Sequence, residues 1–133
     1  MFKSVAHIGI AVRDLGESKK LFERLFGARP EHEESVADQK VNTAMFRMGE
    51  AGIELLEGTA PESAISKFVG NRGEGIHHIS FAVDDIVAEL RRLKQAGFQL
   101  IDEHPRPGAD NCLVAFLHPK STNGVLIELS QKR

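Results

Sequence analysis

Tryptophan and tyrosine are absent from the 133 residues, and there is one cysteine, Cys112. A single thiol cannot close an internal disulfide, so no covalent cross-link within the chain holds the fold. Cys112 sits in the apolar run CLVAFL with no catalytic motif around it, and reads as a small buried side chain. The missing rings also remove the best platforms for stacking on bases. A net charge of -2 spread along the chain leaves no basic stripe for phosphates. No nucleic-acid partner is expected. Long apolar runs are lacking as well, and none approaches the roughly 20 residues that cross a bilayer. The Met1–Ala6 start shows no basic-then-apolar secretory pattern, so a cytoplasmic location and no membrane partner are expected.

With 41% hydrophobic and 27% charged residues, the chain can bury the core of one domain of 1–133, and two large domains are excluded. The informative feature is an internal repeat. HIGIAVRDL at His7–Leu15 returns as HISFAVDDI at His78–Ile86, 71 positions later. Each copy alternates like a strand, ends in aspartate, and leads into an amphipathic stretch closed by glycine, ESKKLFERLFG and VAELRRLKQAG, which predicts a capped helix. Further short runs follow in each half: HEESV, KVNTAMFRM and GIELLEG, then FQLIDE, NCLVAFL and GVLIELS. The turn-rich pieces MGEAG, PRPGAD and HPKSTNG separate them. Each half thus reads as a β-α-β-β-β unit. A connector, PESAISKFVGNRGEG, suggests a short helix and a boundary near Asn71–Glu74, with module one at 1–72 and module two at 73–133. Modules this small should share one core. The expected fold class is α+β, two tandem modules forming one cupped mixed sheet.

The repeat also carries chemistry. IELLE at Ile53–Glu57 and IELSQ at Ile127–Gln131 place Glu54 and Glu128 74 positions apart, close to the histidine offset. Every module therefore supplies one histidine at the beginning of its first strand and one glutamate in its last. Alternation groups His7 with Gly9 and Ala11, and His78 with Ser80 and Ala82, leaving room beside each histidine for a ligand. Glu54 and Glu128 are framed by isoleucine and leucine. A buried carboxylate needs a partner, and a divalent cation can neutralise two at once. Two imidazoles and two carboxylates suit cobalt, nickel, zinc or manganese, with positions left open for substrate. The plainer alternative is a set of sheet-rim residues repeated by duplication. Strict alternation turns His77 away from this set, and His32, His104 and His118 have no repeated counterpart.

On GIHHISFAVDDI, AFLHPKSTNGVLIELSQ and the compact length, the chain resembles the vicinal oxygen chelate superfamily, and within it the methylmalonyl-CoA epimerases. The likeness runs from His7 to Gln131. It implies a cupped sheet around one metal held by His7, Glu54, His78 and Glu128, with cobalt as the favoured ion. It also implies an acyl-CoA substrate, a homodimer, and Glu54 and Glu128 as the proton-transferring groups. Some epimerases have glutamine at the position of Glu54. Some members carry a non-ligand glutamate, proposed as the base, on the strand matching Val41–Phe46, where this chain has Thr43. Glyoxalase I shares the four ligands, and resistance-type binding proteins share the fold, so both stand as alternatives. Lys120, Ser121 and Arg106 are candidates for the CoA phosphates.

Overall fold

The computed structural model describes all residues from Met1 to Arg133. Eight strands and three α-helices run along the chain. They are β1 (Phe2–Ala11), α1 (Leu15–Phe26), β2 (His32–Val36), β3 (Val41–Met48), β4 (Ala51–Gly58), α2 (Ala64–Arg72), β5 (Gly75–Val83), α3 (Ile86–Gln95), β6 (Arg106–Pro107), β7 (Cys112–Leu117) and β8 (Ile127–Lys132). The strands form one curled mixed sheet in the order β2-β3-β4-β1-β5-β8-β7-β6, the α+β architecture expected. No helix is long and apolar enough to cross a membrane.

The repeated aspartates are helix caps. Asp14 Oδ1 accepts from Glu17 N at 3.0 Å and Asp85 Oδ1 from Ala88 N at 3.1 Å, satisfying amide donors that open α1 and α3. Gly27 then ends α1 in the left-handed region, at φ 65°, where a side chain would be strained. Helices α1 and α3 each pack on their own half of the sheet's outer face. Leu15, Phe22 and Phe26 from α1 and the strand residue Ile10 lie against Val12, Phe46 and Leu55. Ile86, Leu90 and Leu93 lie against Val83, Ala115, Leu117 and Leu129. Helix α2 instead packs on the inner side, where Ile65 joins Ala11, Val36, Val41 and Leu56.

The two halves join along β1 and β5. These strands are antiparallel, with His7 opposite Ser80 and Gly9 opposite His78, so the pairing maps onto itself when the repeats are exchanged. Strand β4 runs parallel to β1 with Glu54 beside Gly9, and β8 runs parallel to β5 with Glu128 beside Ser80. His7 and His78 lie well inside their strands rather than at the beginning, because β1 starts at Phe2 and β5 at Gly75.

The FQLIDE run forms no strand, contrary to expectation. Its only ladder contact is a bridge from Leu100 to Leu117. Phe98 and Leu100 share one face and pack on the α3 core with Gln99 and Ile101 exposed, while Asp102 Oδ2 accepts from Phe116 N at 2.9 Å where a ladder carbonyl would otherwise do so. The edge strand of this half forms later, at Arg106 and Pro107, inside a segment that reads as a turn.

Candidate metal centre

Because opposed residues in a ladder share a face, the register brings four side chains to one point at the middle of the trough. His7 Nε2 is 3.0 Å from His78 Nε2, 3.3 Å from Glu54 Oε1 and 3.2 Å from Glu128 Oε1. His78 Nε2 is 3.8 Å from Glu128 Oε1. The donors of His7, Glu54 and His78 all lie within 4.8 Å of one another. Glu54, His78 and Glu128 are buried, and His7 is nearly so.

This donor set fits a divalent cation. Two ligands about 2.1 Å from a shared ion at a right angle stand about 3 Å apart, close to the spacings around His7 Nε2. Glu128 Oε1 is buried with only His7 Nε2, at 3.2 Å and poorly aligned, to meet it, and Ser80 Oγ nearby is buried without a hydrogen bond, so this carboxylate calls for a further source of positive charge. Gly9 makes room for the arrangement. A Cβ there would stand 2.3 Å from His78 Cε1, so the imidazole occupies the space that any side chain would fill.

Electrostatics separate the carboxylates. Burial and the neighbouring Glu128 raise Glu54 from an ordinary 4.5 to about 7, against the pull of His7. Burial also pushes Glu128 upward, but His7 and His78 outweigh it and hold this group below the ordinary value. Burial works against a charged His7, yet Glu128 and Glu54 overcome it and the net shift is upward. His78 falls to about 4 through burial, with His7 and His77 adding to the shift.

His77 lies beside this cluster and not opposite it. The pairing steps from Gly9 with His78 to Ile10 with Ile76, leaving His77 as the extra residue of a β-bulge. A bulge breaks the alternation and re-aims a side chain, and His77 Nδ1 accordingly lies 2.9 Å from His78 Nδ1.

The trough forms a cleft of about 510 Å³. Its walls near the centre are Met45, opposite Glu54 on β3, and Phe116, opposite Glu128 on β7. Thr43 is also in the wall, buried, with a weak 3.5 Å bond to Glu34 O and no titratable group. The cations Lys40, Arg47, Arg106 and Lys132 line the cleft. Lys40, Arg47 and Lys132 are each paired to a carboxylate, Glu62, Glu31 and Asp110 respectively. Arg106 is held more loosely, 3.4 Å from Asp102 and over the Phe116 ring, with its buried Nε making no hydrogen bond. Lys120 and Ser121 do not line the cleft. The Lys120 amide donates to His118 Nδ1, and Ser121 Oγ accepts from Gln99 N. Cys112 is half-buried at the cleft wall, not in the core.

The sequence reading missed Met45 and Phe116 although a signal was available, since they too are 71 positions apart. Lys40, Arg47 and Lys132 have no repeated counterpart, and only the curl of the sheet brings them together.

Comparison with known proteins bears on the family and the fold. Residues 6–116 match the glyoxalase/bleomycin resistance protein/dioxygenase superfamily. The uncharacterised protein YqjC of Bacillus subtilis is 39% identical over 127 residues, covering 96% of this chain and 91% of that protein. The ethylmalonyl-CoA/methylmalonyl-CoA epimerase of Cereibacter sphaeroides is 36% identical over 133 residues, covering 98% of this chain and 99% of the relative. Among solved structures, a single-residue variant of Streptomyces coelicolor methylmalonyl-CoA epimerase in complex with 2-nitronate-propionyl-CoA superposes with a TM-score of 0.96 at 33% identity. That match covers 99% of this chain and 96% of the other.

Proposed function

The chain belongs to the glyoxalase/bleomycin resistance protein/dioxygenase superfamily, and we propose that it is a methylmalonyl-CoA epimerase interconverting the (R) and (S) forms of its substrate. One observation carries the reading: two carboxylates, on β4 and β8, flank a histidine pair from opposite sides of the β1/β5 seam. Inverting a stereocentre between a thioester and a carboxylate requires proton removal on one face and proton return on the other.

His7, Glu54, His78 and Glu128 would hold a divalent ion, cobalt by preference, with zinc, nickel or manganese as other options. When bound, the ion supplies positive charge against which the enolate's negative charge develops, a stabilisation specific to the transition state. The remaining work belongs to the chain. Glu54 is the base, because Thr43 carries no titratable group and the carboxylates that meet the histidine pair are Glu54 and Glu128. Glu128, held between both histidines, anchors the site on one side, and it or a bound water returns the proton on the other face. The buried walls Met45 and Phe116 keep bulk water from the carbanion. Arg106, with Lys40 and Lys132, meets the anionic parts of the acyl-CoA. The protein acts as a homodimer in the cytoplasm, which sedimentation and cell fractionation would check.

Solvent-deuterium incorporation at the α-carbon of methylmalonyl-CoA by metal-loaded protein tests the reading. Absence of both exchange and epimer interconversion would end it. One rival, lactoylglutathione lyase, stands on the same four residues, since a glyoxalase shares the ligand set. Turnover of the methylglyoxal–glutathione hemithioacetal would decide for that rival.

A further inference from the structure

The two metal-binding histidines are related by the repeat, but their surroundings are not. One bulge sits immediately before each. In β1 the pairing skips Ala6 between Val5 and His7, and in β5 it skips His77 between Ile76 and His78. The residue re-aimed toward the site is therefore a methyl group in one half and an imidazole in the other.

That imidazole is fixed from two sides. Its Nδ1 lies 2.9 Å from His78 Nδ1 with the rings nearly perpendicular, and its edge meets the Phe68 ring of α2 at 5.0 Å and 84°. The Arg72 guanidinium sits 5.7 Å from the Phe68 centroid and steadies that ring in turn. Helix α2, which has no counterpart in the second module, thus reaches the centre through His77.

The bond has a direction that chemistry selects. A neutral imidazole carries one proton, and a ring nitrogen that ligates a metal must be the bare one. His78 turns Nε2 toward His7 and Nδ1 toward His77, so ligation through Nε2 leaves the proton on Nδ1. We infer that His77 is a positioning residue, accepting a hydrogen bond from His78 Nδ1–H and so holding His78 in the tautomer and orientation that present Nε2 to the ion. The inference rests on the reading of His78 as a metal ligand. An outer partner of this kind fixes ligand orientation, and its loss typically weakens metal affinity about 10–100-fold.

Two measurements test it. Long-range ¹H–¹⁵N NMR on metal-free, histidine-labelled protein reads the His78 tautomer without any metal. The proton is expected on Nδ1 in the wild type and in His77→Asn, whose side-chain oxygen can stand where Nδ1 stands. Zn²⁺ affinity by chelator competition is expected to fall about 10–100-fold in His77→Leu, and to fall further in His77→Gln than in His77→Asn. His78 protonated on Nε2 in the wild type would overturn the inference, as would wild-type Zn²⁺ affinity in a folded His77→Leu. If His77→Leu fails to fold, the other two variants decide, and equal affinity in them overturns it. A wild type that binds no Zn²⁺ yet shows the Nδ1–H tautomer would remove the metal centre, and with it this role, while leaving the hydrogen bond standing.

Discussion

His7 Nε2 lies 3.0 Å from His78 Nε2, with the two rings at 82°, although 71 residues separate them in the chain. The contact exists because β1 and β5 pair with a register that the repeat maps onto itself, and because Gly9 leaves space for the second ring.

Gly9→Ala is expected to break this contact. The new Cβ would force the His78 ring aside, at a stability cost of about 1–3 kcal/mol for overpacking, together with loss of tight metal binding. Gly16→Ala is the control. Its Cβ would meet only Asp14 Oδ1 at 3.4 Å, and alanine in α1 should leave stability unchanged or raise it by about 0.5–1 kcal/mol. Denaturant melts and chelator competition on both variants check this, and equal behaviour would contradict the packing argument.

The metal-free protein should respond to pH through Glu54. Folding raises this carboxyl from 4.5 to about 7, so the folded state favours its protonated form. Its contribution to stability is full below about pH 4.5 and is lost as pH rises through about 7. Ligation requires the carboxylate and a neutral His7, whose pKa is also raised, so metal uptake near neutrality should release protons and affinity should fall as pH drops below about 7. Calorimetry in buffers of differing ionisation enthalpy counts the protons. Metal affinity that does not change with pH would refute the assignment.

Exchanging the carboxylates one at a time separates their roles. Glu54→Gln keeps an oxygen donor, so metal should stay bound while kcat falls about 10²–10⁴-fold, the usual contribution of a positioned base. Glu128→Ala should lose both metal and activity. Paired metal analysis and steady-state kinetics are the check, and wild-type kcat in Glu54→Gln would move the base elsewhere.

Arg106 should govern substrate affinity more than chemistry. Arg106→Ala is expected to raise KM for the acyl-CoA about 10–100-fold, the value of a charged hydrogen bond, with kcat little changed. Lys120→Ala, outside the cleft, should change neither constant. Equal effects from the two substitutions would contradict the placement of the anion site.

Much of this was legible in the sequence because duplication writes its own alignment. His7 with His78, Glu54 with Glu128, and the capping aspartates Asp14 and Asp85 all recur at nearly one offset, and periodicity located α1, α3 and most strands. Three things were not legible. A bulge inserts one residue without any compositional mark, so strict alternation turned His77 the wrong way. The edge of the second half also depends on which group takes the Phe116 amide, a side chain or a ladder carbonyl. There Phe98 and Leu100 took the core, Asp102 took the Phe116 amide, and the strand moved to Arg106. The cleft cations Lys40, Arg47, Arg106 and Lys132 are remote from one another in sequence and are gathered only by curvature.

Solvent-deuterium exchange at the α-carbon of methylmalonyl-CoA, followed with metal-stripped, metal-restored and Glu54→Gln protein, tests the central claim most directly. Exchange and epimer interconversion are expected to vanish on stripping, return with the divalent ion, and fall about 10²-fold or more in Glu54→Gln. Full exchange by the stripped protein, or no exchange by the restored one, would contradict a metal-dependent epimerase at His7, Glu54, His78 and Glu128.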